Sequence, residues 1–138
     1  MTQKQKNFLR QSCAAHLKDA RIQMGLSQME VAKLAGIERS WYAKVEAGLT
    51  NISIDTLDKA RRVLVITVPQ PPSLVTEVGK RIAAARQGRY SQEALSEAAG
   101  LNIFYVGRVE RGITNPGVDQ IEAIANALNL DGWDFLAV

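Results

Sequence analysis

Cysteine and histidine each occur once in 138 residues, as Cys13 and His16. A lone cysteine excludes an internal disulfide, and one cysteine with one histidine falls short of a structural zinc site. The chain has neither a glycine-rich phosphate loop nor a nucleophile placed near a histidine in motif form. It therefore reads as a non-enzyme with no cofactor and no metal. His16 reads as a helix-packing residue and Cys13 as a small buried hydrophobe. Long apolar runs are also missing, and no stretch approaches the roughly 18 residues that a bilayer-spanning helix needs. The opening MTQKQKNFLR is basic and polar and lacks the apolar region of a secretory signal. A reducing, cytoplasmic setting is the expectation.

Proline is scarce, and three of the four prolines lie in VPQPPS, Val68 to Ser73. Each one fixes φ and removes a backbone donor, so the stretch predicts a short, stiff linker spanning about 20 Å. It divides the chain into residues 1–68, a linker at 69–73, and residues 74–138. The halves differ in charge. Residues 1–68 hold 11 Lys+Arg against 6 Asp+Glu, a net +5, while 69–138 hold 6 against 8, a net −2. A basic half is the electrostatic footprint of a nucleic-acid binder.

The halves are copies of one unit. GLSQMEVAKLAG (Gly25 to Gly36) and RYSQEALSEAAG (Arg89 to Gly100) share Ser-Gln at one end and Ala-Gly at the other. At an offset of 64, nine of the 25 residues 27–51 match 91–115, among them Val45/Val109, Glu46/Glu110, Gly48/Gly112 and Asn51/Asn115. Upstream the offset becomes 65, pairing LKDAR (Leu17 to Arg21) with IAAAR (Ile82 to Arg86). Each copy reads as a chain of short helices. A first helix over about 6–24 ends at Gly25. Ser27 caps a second, with Glu30 at the capping-box position. Gly36 turns the chain into a third, over about 38–47, which stops at Gly48. Ser53 or Asp55 caps the helix TLDKARRVLVI. Copy two repeats the series through Ser91, Gly100, Asn102 and Gly112 to VDQIEAIANAL. Val31, Tyr42 and Val45, with Leu95, Val106 and Val109, are the expected core.

A helix, a turn opened by glycine and a second helix make a helix-turn-helix. RIQMGLSQMEVAKLAGIERSWYAKVEAG and RQGRYSQEALSEAAGLNIFYVGRVERGITNP resemble the lambda-repressor-like, Cro-type helix-turn-helix family, also called the xenobiotic response element (XRE) family. Copy two most resembles the controller proteins of restriction-modification systems, through GLN, YVGRVERG and NP. The resemblance implies an all-α fold, two tandem helix-turn-helix domains of about five short helices each. It also implies a double-stranded DNA partner.

The same resemblance assigns roles. Arg21 pairs with Glu46, and Arg86 with Glu110, as structural ion pairs. Gln28 and Gln92 open their helices on the DNA backbone. The third, fourth and eighth residues after the turn glycine read bases: Arg39, Ser40 and Lys44 in copy one, Ile103, Phe104 and Arg108 in copy two. Arginine here grips guanine O6 and N7 together. Tyr105, Arg111, Asn51 and Asn115 join the backbone contacts. Trp41 and Tyr105 share one position, suited to partial core packing or to a phosphate. Ile103 and Phe104 form an apolar tip that hydrogen-bonds no base edge, leaving thymine methyl groups or a protein surface as partners.

Two readings follow. In one, the chain is a sequence-specific DNA-binding transcriptional regulator that imitates a dimer on an asymmetric site, with the first repeat carrying most base readout; a variant gives copy two a self-association role in a homodimer. In the other it is a protein-interaction regulator, antirepressor or antitoxin-like, that has lost part or all of its DNA binding.

Overall fold

The computed structural model describes residues 8–64 and 72–136, and all regular structure among them is helical. The first half contributes α1 (Phe8–Gln23), α2 (Gln28–Ala35), α3 (Arg39–Glu46) and α4 (Ile54–Leu64). The second contributes α5 (Leu74–Arg86), α6 (Gln92–Ala98), α7 (Tyr105–Glu110), α8 (Val118–Ala127) and a short α9 (Trp133–Leu136). Most of the expected linker, and the first seven residues, lie outside the described residues.

Local signals act where the sequence places them. Ser27 and Glu30 form a reciprocal capping box at α2. Gly36 ends α2 at φ +72° and Gly100 repeats the turn at +74°, a left-handed conformation that glycine adopts at no steric cost. Ser53 caps α4, its Oγ accepting the Thr56 N–H at 3.1 Å. Val31, Tyr42, Val45, Leu95, Val106 and Val109 are all buried, as is Cys13. His16 lies on the outer side of α1, with its ring stacked on Trp133 at 3.9 Å.

The halves are joined by matching contacts made in both directions. In each half the helix that follows the helix-turn-helix begins against the other half. The first N–H of α4, Ile54, donates to the Pro116 carbonyl at 2.7 Å, and the first of α8, Val118, donates to Ile52 at 2.8 Å. The second N–H of each, Asp55 and Asp119, donates to Asn115 Oδ1 and Asn51 Oδ1, both at 2.9 Å. Ser53 and Gly117, equivalent positions, form an antiparallel bridge between them.

The first helices obey the same exchange: α1 packs on α8, and α5 on α4. Leu9 N–H donates to the buried Glu122 carboxylate at 2.9 Å, and Leu74 N–H to the buried Asp58 carboxylate at 3.3 Å. Each pair consists of counterparts under the internal repeat. This is the self-complementary pattern of a two-fold dimer, held within one chain. A single apolar core runs through it, joining Leu9, Leu17 and Leu57 to Leu74, Ile121 and Phe135. Arg10 adds a contact that is not repeated the other way, forking onto Asp119 at 2.6–2.8 Å.

Candidate nucleic-acid interface

The third helix of each copy is anchored from behind by an ion pair. Arg21 Nε and Nη2 meet the two oxygens of Glu46 at 2.7 and 3.0 Å, and Arg86 meets Glu110 in the same fork at 2.6 and 2.9 Å. The Glu46 side chain is 2% exposed and that of Glu110 9%. Burial acts to raise the Glu46 carboxyl, but hydrogen bonds from Arg21 and Gln28 outweigh it and hold the group below the usual carboxylate range. Both expected pairs are therefore present, in a bidentate geometry that fixes α3 and α7 relative to α1 and α5.

Gln28 and Gln92 join these pairs. Each donates its side-chain amide to the same glutamate oxygen that arginine holds, at 3.1 and 2.9 Å. In this structure, then, their amides face the ion pair, not open solvent. Asn51 and Asn115, placed by the resemblance on the DNA backbone, have their side-chain oxygens engaged at the seam between the halves. Asn51 also donates to Gln120 at 3.2 Å.

The first reading helix presents a cationic tip. Arg39, Ser40 and Lys44 are exposed, Trp41 is 39% exposed, and neither Arg39 nor Lys44 makes an ion pair with a described residue. The sequence reading missed Glu38. Its carboxylate caps α3, accepting the Trp41 N–H at 3.0 Å and the Ser40 hydroxyl. Those bonds, Ser40's first, hold the Glu38 carboxyl below its ordinary range. With its proton given to Glu38, the Ser40 hydroxyl keeps two acceptor lone pairs for any further partner and donates elsewhere only by leaving Glu38. The missed signal was positional: a short acidic side chain directly before a helix, three residues ahead of the amide it receives.

The second reading helix starts two residues later. Equivalence with Arg39 would begin α7 at Ile103, but the helix begins at Tyr105. Asn102 takes the Phe104 N–H on its side chain at 2.9 Å and the Tyr105 N–H on its carbonyl at 2.9 Å, so Ile103 and Phe104 form a turn. The buried Ser96 hydroxyl, where copy one has Ala32, receives the Val106 N–H at 3.0 Å. Ile103 and Phe104 are 42% and 58% exposed. Arg108 lies 6.0 Å from the Phe104 ring centre, and Arg111 is exposed on the turn that follows α7. Tyr105 is half-buried, so of the two roles open to it core packing accounts for part of the ring.

Among the described residues no cluster of ligating side chains suits a metal ion, and no helix is long and apolar enough to cross a membrane. The helix-turn-helix family model matches the chain twice, over residues 17–68 and 82–132. Comparison with curated proteins and with solved structures finds no match. The two matches together cover most of the chain and run from within α1 through α4 and from within α5 through α8. The chain thus belongs to the XRE-type helix-turn-helix family of DNA-binding transcription regulators and carries the family's unit twice.

Proposed function

We propose that one molecule of this protein acts on DNA as a dimer would, binding an asymmetric operator in which the first copy supplies most of the base readout. The observation that carries this is the reciprocal seam: equivalent residues of the two copies exchange the same hydrogen bonds, while the two tips they orient are chemically unlike. Family dimers set two recognition helices about 34 Å apart, one turn of duplex, and a fused two-fold pair supports the same engagement without a second chain. Arg39 grips guanine, Lys44 reaches a neighbouring base or phosphate, and Arg108 contributes from the second copy. Trp41, Tyr105 and Arg111 border the backbone. A cytoplasmic location follows from that partner.

Selection of bound duplexes from a random library by the full chain, followed by footprinting, tests this reading. Two unlike half-sites about one turn apart, bound by one chain per duplex, are the expected result. A palindromic site bound by two chains contradicts it. Arg39→Ala should cost about 1–3 kcal/mol on the selected site and relax one base position; equal losses on selected and random DNA would make Arg39 a phosphate contact.

The exposed Ile103-Phe104 tip and the −2 charge of the second half favour a second reading, a regulator that binds protein in place of DNA. Salt-insensitive or absent binding of the full chain to every duplex would select it.

A further inference from the structure

We infer that Ile103 and Phe104 read thymine methyl groups, so that the second half-site is specified by methyls where the first is specified by guanine. This rests on the DNA-binding reading above and names what the second copy recognises.

The tip is built to stay exposed. Asn102 closes a turn under it with one side-chain and one main-chain bond, and Ser96 secures the next amide from within the core. The two apolar side chains are therefore held outward at a cost in exposed apolar surface, on a backbone fixed from behind. Their place is also set. Under the internal repeat Ile103 and Phe104 stand at the positions of Arg39 and Ser40, on a turn where the first copy has helix. The reciprocal seam relates the two copies that carry them. On the DNA-binding reading a duplex engaged by one copy runs on to the other.

Within a major groove, the chemistry that matches two apolar side chains is the C5-methyl group of thymine. Charge selects DNA over a second copy of the chain. Arg108 lies beside the tip, 6.0 Å from the Phe104 ring centre, and forms no ion pair with a described residue, as a phosphate contact requires. In a self-complementary contact with Phe104 on the axis, the adjacent Arg108 would be brought close to its own image.

The experiment uses the full chain and its selected duplex, with each thymine replaced in turn by deoxyuridine, which removes only the methyl group. One or two positions in the second half-site should each lose about four-fold in affinity, the transfer value of a buried methyl group. The loss should vanish in I103A/F104A, while substitutions in the first half-site keep their effect in both proteins. Both side chains lie outside the core, so an unchanged urea midpoint confirms that the variant folds. Insensitivity of the second half-site to uracil, or a penalty that survives in the variant, overturns the inference while leaving DNA binding intact. Self-association of the wild type that I103A/F104A abolishes also overturns it and assigns the tip to a second copy. Absence of binding to any duplex refutes the underlying function as well.

Discussion

Replacing Asn51 by alanine separates two roles that this side chain has been given. As a phosphate contact, its loss weakens DNA binding and leaves the fold alone. In the structure Asn51 supplies the acceptor for the second N–H of α8, a helix whose own cap residue is Gly117 and has no side chain to offer. It also steadies Gln120, whose Oε1 accepts the Gly117 N–H at 3.2 Å. Loss of such a cap costs typically about 1 kcal/mol, and up to about 2 where nothing local replaces it. Asn115 does the same for α4, but Ser53 remains to cap that helix, so Asn115→Ala should cost the smaller share, about 0.5–1 kcal/mol. With a urea slope of about 2 kcal/mol per molar, the Asn51→Ala midpoint should fall by about 0.5–1 M with the slope unchanged. Affinity for DNA measured well below the transition, and its dependence on salt, should barely move. An unchanged midpoint with an affinity lowered alike on selected and random duplexes would refute the reasoning and return Asn51 to the phosphates.

Arg21→Ala leaves Glu46 buried and unpaired and should destabilise by about 3–5 kcal/mol; Arg86→Ala, whose partner Glu110 is less enclosed, should cost less, and urea denaturation ranks the two. Because the folded protein holds the Glu46 carboxyl below its unfolded value, its contribution is present above the ordinary glutamate range near pH 4.3 and is lost as pH falls through the native value. Acid should therefore narrow the stability gap between wild type and Glu46→Gln. Burial, with help from Glu122, pushes the Cys13 thiol up to about 12, so a thiol reagent at neutral pH should label the protein only as fast as it opens. The same shift makes stability fall as pH rises from about 9 towards 12, and Cys13→Ala should show a shallower fall, the remainder coming from Tyr42 and Tyr105, whose hydroxyls burial also pushes up.

Much of this was legible in the sequence because it is written in short-range chemistry. The caps at Ser27 and Ser53, the turn glycines, the apolar positions facing each core and the two arginine–glutamate forks sit where local pattern and the family resemblance place them. The seam was not legible. Asn51 and Asn115 stood out as a repeated pair, yet their partners are 68 and 60 residues away, and only the folded arrangement shows which helix start each one meets. Nothing local marks Glu122 and Asp58 as buried acceptors, for the same reason. The shortened start of α7 escaped because Asn102, at the position of Glu38, has the chemistry of a helix cap. Yet its side chain takes the Phe104 N–H two residues on, not the third, and its carbonyl takes that of Tyr105, closing a turn first.

The two-way seam also bears on how a cell meters such a regulator. When a DNA reader must first assemble from two separate chains, dilute occupancy of its target climbs with the square of chain number. Under the proposed one-chain engagement occupancy answers in direct proportion, so halving synthesis halves it instead of quartering it. Each half is also free to drift toward a different stretch of sequence, a divergence that two products of one gene never reach.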